Sequence, residues 1–167
     1  MKRTIVAGIA ALASSMAIAQ QSEFFIQAGQ TLSPSTGSGV IGAGAGFVLP
    51  WSFKEGLVVS RLDLSLVGVD AKKGDVLLLS AVPILRYQPQ SIGFFVEGGI
   101  GLGYVSRTVW ERRHDLGGRL HFASRLGVGY DFGAYALSVN VSHISNADLK
   151  KPNDGADMLD IRLSRGF

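Results

Sequence analysis

The sequence predicts an all-β fold, an eight-stranded antiparallel transmembrane β-barrel, and three observations carry that expectation. Past residue 19 no apolar period of 3.6 holds for three turns. Eight segments instead alternate apolar and polar residues, each with one continuous apolar face, as a strand crossing a bilayer needs. The chain also begins with an export signal, which directs those long strands away from the cytoplasm.

That signal is "MKRTIVAGIAALASSMAIAQ". Lys2 and Arg3 form a positive n-region, Ile5 to Met16 an apolar h-region, and Ala17-Ile18-Ala19 an A-x-A cleavage site. The apolar run falls short of the roughly 20 residues of a spanning helix. Residues 1–19 are therefore expected to be a signal peptide, and residues 20–167 an outer-membrane barrel domain starting at Gln20.

Strands are expected near 23–31, 40–49, 57–68, 76–87, 93–105, 118–131, 134–146 and 157–167. Between them fall Gly, Pro, Asn, Asp and Lys. Parity assigns the faces. Leu62, Leu64 and Leu66 oppose Arg61, Asp63 and Ser65; Leu120, Phe122, Leu126, Val128 and Tyr130 oppose Arg119, His121, Arg125 and Asp131; Leu159, Ile161 and Leu163 oppose Asp160, Arg162 and Ser164. A soluble sandwich can alternate in the same way, but export, long strands and an even count favour a closed barrel, which satisfies every backbone hydrogen bond in lipid. Eight strands leave an interior only wide enough for side chains. The expected inward set pairs Arg61, Arg119, Arg125 and Arg162 with Asp63, Glu97, Asp131 and Asp160. Buried charges persist only when paired, so the interior is expected to be plugged rather than open. Glycines 99, 101 and 103 are expected to leave room beside these side chains. With both termini periplasmic, the connections at 88–92 and 131–134 are short and inward, and those at 69–75, 106–117 and 147–156 point outward. The connection at 50–56 is longer than this rule prefers. Phe167 ends the chain on the apolar parity, like the assembly signal of bacterial outer-membrane barrels.

Composition narrows the chemistry. With 47% hydrophobic and 17% charged residues, the chain is too apolar for disorder. No cysteine means neither disulfides nor thiolate metal sites. Removing Lys2 and Arg3 from the formal +3 leaves +1, and no basic stripe with interleaved aromatics suggests nucleic acid. His114 and His121 lack metal-ligand spacing, and no helix follows "GAGAG" or "GGIGLG", so neither is read as a nucleotide loop.

One segment breaks the apolar pattern. In "VNVSHISNADLKKPNDGADMLDI" the lipid-facing parity of Tyr135, Leu137, Val139 and Val141 continues into His143 and Ser145. Asp157 shares the outward parity of Leu159, Ile161 and Leu163 on the returning strand. A loop centred near residue 150 sets 143–145 opposite 155–157. Same-face neighbours two apart have Cα atoms about 6.5–7 Å apart, and opposed residues have Cβ atoms about 4.5–5.5 Å apart. A nucleophile, a base and an orienting acid can thus meet at the outer rim, which is the logic of a catalytic triad. A serine hydroxyl is too weak an acid to attack an ester unaided; an imidazole can take its proton, and a carboxylate fixes the tautomer. The plain alternative is that the apolar band simply ends there, with His143 an interfacial anchor.

The segment "HISNADLKKPNDGAD" resembles the signature of the lipid A 3-O-deacylase (PagL) family of outer-membrane enzymes, in its His-x-Ser-Asn, its Leu-Lys-x-Pro-Asn-Asp-Gly run and an acid two positions after the glycine. "FFVEGGIGLG" is similar to the family's fifth strand. The strong similarity covers roughly the last quarter of the chain, and the rest agrees in layout. The resemblance implies a carboxylic ester hydrolase of the bacterial outer membrane. It would release the acyl chain at position 3 of lipid A in outer-leaflet lipopolysaccharide, with Ser145 as nucleophile and His143 as base. The family's acid is usually glutamate; Asp157 holds that position here, with Asp160 and Asp154 as fallbacks. Asn146 would supply an oxyanion donor from side chain or backbone, and Asn153 matches the family's loop asparagine or shapes the "PNDG" turn. No cofactor is required. The oligomeric state, a homodimer included, stays open. Lys72, Lys73, Arg107, Arg112, Arg113, Lys150 and Lys151 in the outer loops could pair with lipid A phosphates. Asp70, Asp75, Glu111, Asp115, Asp148 and Asp154 share those loops, and solvated mixed charge is the favoured reading. A non-enzymatic small barrel and a phospholipid esterase are the rival readings.

Overall fold

In a computed structural model, the described residues 21–34, 37–54 and 57–167 form a closed barrel. The expected signal peptide, 1–19, lies outside the described residues. The strands are β1 (Glu23–Ser33), β2 (Gly39–Phe53), β3 (Val58–Val69), β4 (Val76–Tyr87), β5 (Gly93–Val105), β6 (Val109–Glu111), β7 (His114–Asp115), β8 (Leu120–Asp131), β9 (Tyr135–Ser145) and β10 (Ala156–Gly166). Eight of them close the barrel in the order β1-β10-β9-β8-β5-β4-β3-β2, every neighbour antiparallel. The short β6 and β7 pair only with each other, as a ribbon inside the long connection between β5 and β8. Sequence parity reads that connection as plain loop, because two- and three-residue strands carry no detectable period.

The connection after β2 is shorter than expected. β2 runs on through Phe53, and its register against β3 shifts between Val48 and Ser52. Pro50 lies in that shift, where a residue without an N–H is tolerated as part of a bulge. β3 begins at Val58, so all three connections at this end are short.

Alternation sorts the two faces. Phe24, Ile26, Leu64, Leu66, Leu126, Val128, Val139 and Ile161 are exposed on the outside wall. At the short-turn end stand Phe24, Trp51, Phe53, Tyr87, Phe94, Phe132, Tyr135 and Phe167, all exposed. Phe24 stacks on Phe167 at 4.2 Å, and Phe94 meets Tyr130 edge-on at 5.0 Å. An apolar band edged by aromatics is the outer surface of a membrane barrel.

The interior divides into two halves. Toward the short-turn end, Arg61 pairs with Glu23 (3.1 Å), Asp63 (2.5 Å) and Glu97 (3.2 Å). Arg86 reaches Glu97 at 2.8 Å, Arg162 reaches Asp63 at 2.7 Å, and Arg125 also pairs with Asp63. Arg86 and Arg162 lie over the rings of Phe95 and Phe25. Asp160 accepts from Asn140 Nδ2. Toward the other end the lumen is apolar, filled by Val67, Val69, Val76, Leu78, Ile144 and Met158 and capped by Trp110 and Leu116 from the ribbon region. The interior is plugged, but only half of the plug is ionic.

One lumenal assignment requires correction, and a second, Asp131, faces the lumen as expected but stands outside the arginine network. Arg119 lies just before β8 and is exposed, its Nη1 donating to Tyr104 Oη. Strand parity does not govern a residue outside the strand. Asp131 sits at the short-turn mouth, accepting from Gln88 Nε2 and Gly133 N. Arg86 and Glu23 take their places in the network. The expected role of the glycines also changes. A Cβ on Gly99 or Gly101 would lie 1.9 Å from Pro83 O or 2.1 Å from Ala81 O, so their small size serves the close approach of β4 rather than the arginines.

Asp63 serves three arginines at once. Asp63→Asn leaves guanidinium charge buried without its carboxylate. It is expected to cost about 3–5 kcal/mol of stability, seen as a lower urea midpoint for the folded, gel-shifted barrel. An unchanged midpoint would show that the network contributes little.

Candidate active site

The β9–β10 hairpin carries the polar cluster of the outer rim. Its register sets His143 directly opposite Asp157, and the next pairs are Val141 with Leu159 and Val139 with Ile161. His143 Nδ1 lies 2.7 Å from Asp157 Oδ1. A proton on Nδ1 donates to the carboxylate and leaves the Nε2 lone pair free to act as base. Because the residues are directly opposed, an aspartate is long enough to reach the ring. His143 is about half exposed and Asp157 nearly so (48% and 43%), so both face out of the barrel.

Ser145 is half-buried at the end of β9, on the same face as His143 and opposite Phe122 of β8. Gly155 relates the serine to the ring. A Cβ built on Gly155 would stand 3.2 Å from His143 Cε1 and 3.7 Å from Ser145 Cβ. The ring edge and the serine thus flank one empty position, no further apart than those two distances together. Catalytic hydrogen bonds are often loose in the free enzyme and tighten around substrate.

The other two acids raised as fallbacks are engaged elsewhere. Asp160 lies inside the barrel on Asn140, and Asp154 Oδ2 accepts from Asp115 N at 2.7 Å. Asn146 is buried. Its Nδ2 donates to Leu116 O (2.9 Å) and Lys150 O (2.7 Å), and its backbone N–H donates to Asn153 Oδ1 (3.0 Å). Asn146 therefore braces the loop with the groups expected to face an oxyanion. Asn153 Nδ2 gives one hydrogen to Asp148 Oδ1 at 3.3 Å. An amide nitrogen carries two hydrogens, so a second stays available.

The ribbon clamps this loop from outside. His114 Nε2 donates to Gly155 O, and Asp115 and Asp154 exchange hydrogen bonds, each backbone N–H going to the other residue. A Cβ on Gly117, where φ is +73°, would lie 1.8 Å from Pro152 O, so the two loops touch backbone to backbone. Sequence reading treats Asp115 as a solvated loop charge and sees in His114 only the lack of metal-ligand spacing. The local hint is the apolar pair Trp110 and Leu116 in a largely polar connection, both fully buried. His121 is buried too, with Nε2 donating to Gly118 O at 2.7 Å. Among the described residues no cluster of three His, Asp or Glu could hold a metal ion.

Beside the serine, the outer wall carries a groove of about 550 Å³ lined chiefly by Leu102, Tyr104, Leu120, Phe122 and Leu149. These side chains are exposed and nearly all apolar. Phe122 is the register partner of Ser145, and Asn146 beside the serine also lines the groove, so the groove lies one strand from Ser145. The arrangement offers a base, a hydroxyl and an apolar channel at the lipid-facing rim, the parts an esterase acting on an amphiphile needs.

The family model described as lipid A 3-O-deacylase (PagL) matches residues 33–165. The chain is 40% identical over 83 residues to lipid A deacylase PagL of Pseudomonas aeruginosa, a match spanning 47% of either chain. It is 29% identical over 126 residues to lipid A deacylase PagL of Bordetella bronchiseptica, spanning 70% of either chain. Among solved structures, that of the outer membrane enzyme PagL superposes with a TM-score of 0.78 at 24% identity, covering 87% of this chain and 99% of that one. The N-terminal barrel domain of Pseudomonas aeruginosa OprF superposes with a TM-score of 0.55 at 14% identity, covering 88% and 97%. The last two likenesses speak for the fold.

Proposed function

The chain belongs to the lipid A 3-O-deacylase (PagL) family, and on that footing we propose that it hydrolyses the ester-linked acyl chain at position 3 of lipid A, using Ser145, His143 and Asp157. The protein sits in the bacterial outer membrane, exported by the signal over residues 1–19, with this rim at the outer leaflet. One observation carries the assignment: His143 and Asp157 lie in contact at 2.7 Å on the outward face, beside a serine and an apolar groove.

The steps follow from the groups. Ser145 Oγ attacks the ester carbonyl carbon while His143 Nε2 takes the hydroxyl proton. Asp157 holds the ring at Nδ1 and stabilises the imidazolium. The negative charge moves to the carbonyl oxygen, and the spare Nδ2 hydrogen of Asn153, whose Oδ1 accepts from the backbone N–H of the residue after Ser145, is the donor this reading assigns to it. The tetrahedral intermediate collapses, the sugar oxygen leaves with the proton from His143, and the acyl chain remains on Ser145. Water, activated by His143, then releases the fatty acid. The acyl chain lies in the groove against Leu102, Leu120 and Phe122. The reaction needs no cofactor. All three side chains come from one hairpin, so the chemistry needs no second copy, and a homodimer is no part of this reading.

Mass spectrometry of lipid A from cells making the wild type, against cells making Ser145→Ala, tests the proposal. The wild type is expected to remove one hydroxyacyl chain and the variant none. Unchanged lipid A with wild type present would favour a non-enzymatic barrel. Release of fatty acid from glycerophospholipid alone would favour a phospholipid esterase.

A further inference from the structure

We propose that a cationic cleft on the outer rim, formed by Lys73, Arg107 and Arg119 with Ser106 and Thr108, binds a phosphoryl group carried by the glycolipid substrate. The inference rests on the function proposed above and extends it from the ester to the head group.

Three observations converge. The cleft, about 500 Å³, is lined by those five residues and Val109, with no carboxylate among them. The same outer loops hold Asp70, Asp75 and Asp115, and none of these lines the cleft.

The two guanidinium groups are also held in place by neutral acceptors. Arg107 Nη1 donates to Lys73 O at 2.7 Å, and Arg119 Nη1 donates to Tyr104 Oη at 3.1 Å. Among the described residues, none of the three cations has a carboxylate within ion-pair distance. Inside the barrel the reverse holds: Arg61, Arg86, Arg125 and Arg162 are each paired. The rim arginines thus keep their charge and most of their donors for a ligand. A planar fork of N–H groups matches phosphate oxygens two at a time, and two hydroxyls add further donors.

Finally, the cleft adjoins the apolar groove. Arg119 lines both, and Tyr104, which anchors it, lines the groove. The groove in turn reaches Phe122, opposite Ser145. On an acylated, phosphorylated sugar the ester joins the sugar to the chain, so the groove takes the acyl chain while the cleft, built from the outer connections after β3 and β5, lies at the level of the sugar. The remaining loop cations show no such separation; Lys151, for example, pairs with Asp148 at 3.4 Å.

The test compares bisphosphorylated lipid A with the same lipid after enzymatic dephosphorylation, in detergent, on the full-length protein and on the Arg107→Gln/Arg119→Gln variant. Removing the phosphates is expected to lower kcat/KM of the wild type about tenfold, mostly through KM, since charge-assisted hydrogen bonds at an exposed rim are worth about that. The variant is expected to lose the discrimination, its ratio between the two lipids falling near one. A purely structural role would slow both lipids alike and keep the ratio, which would overturn the proposal. So would a wild type indifferent to dephosphorylation.

Binding to Ser145→Ala protein, followed by tryptophan fluorescence, decides the subsite even if no chain is released. Tighter binding of the phosphorylated lipid supports the subsite while the hydrolase reading fails, and equal binding of both lipids overturns the subsite. Titration with inorganic phosphate separates the sources. Bound lipid that resists millimolar phosphate supports a lipid-borne phosphoryl group, and complete displacement reassigns the cleft to a free anion.

Discussion

Alanine at either Ser145 or His143 is expected to lower kcat for acyl release from lipid A by on the order of 10⁴–10⁶-fold, and the double variant is expected to be no worse than either single one. The reason is that the two groups perform one act. Without the imidazole the hydroxyl keeps its proton, and without the hydroxyl the imidazole has no proton to take. Asp157→Asn is expected to fall nearly as far, because an amide cannot hold the Nδ1–H tautomer that leaves Nε2 as a base. The three side chains stand at the lipid-facing rim and make few packing contacts, His143 and Asp157 being about half exposed. Stability is therefore expected to move by no more than about 0.5 kcal/mol. Fatty-acid release from lipid A in detergent, with heat-modifiability on gels to verify folding, provides the measurement. Losses that add up between the Ser145 and His143 variants would mean the two act independently, and the triad would fail as an explanation.

Gly155→Ala is expected to leave a folded barrel with activity lower by about 100-fold. Two faults coincide at this position. Its φ is +64°, where a Cβ costs about 1–2 kcal/mol. The Cβ would also press on His143 Cε1 at 3.2 Å, tighter than ordinary contact, with Ser145 Cβ at 3.7 Å on the other side. The ring would have to move by a few tenths of an ångström or the loop would have to shift, and misplacement of that order in a reacting geometry is costly. The loop has little freedom to yield, since Gly155 O is held by His114 and its neighbour Asp154 by Asp115. Gly68→Ala is the control: a lipid-facing site on β3 whose nearest neighbour to a new Cβ is Ile41 O at 3.7 Å. Equal activity of Gly155→Ala and Gly68→Ala would mean that the ring is not positioned through this glycine.

Much of this molecule was legible along the chain because β-structure alternates with a period of two. Leu62, Leu64 and Leu66 against Arg61, Asp63 and Ser65 reveal both faces of β3 without any knowledge of its neighbours. The hairpin around residue 150 is similarly local. Its centre alone sets residue 143 opposite 157, since two antiparallel strands joined by one loop have a single natural register. Departures arose where the local rule lapses. Pro50 hides a bulge that lengthens β2. Arg119 lies one residue ahead of its strand, so its parity misleads. The ribbon of β6 and β7 is too short to show a period.

The amino-acid order by itself determined the barrel, the lipid and lumen faces within its strands, and the pairing of His143 with Asp157 at one rim. Each depends on neighbours a few residues apart or across one short turn. Only the tertiary structure decided which charges meet. Arg61 finds Glu97 from 36 positions away, Arg86 finds Glu23 from 63, and Arg162 finds Asp63 from 99. It likewise decided that Asn146 braces the loop and that His114 grips Gly155. Closing the barrel brings these distant segments within hydrogen-bond reach, and no periodicity encodes a contact that exists only after closure.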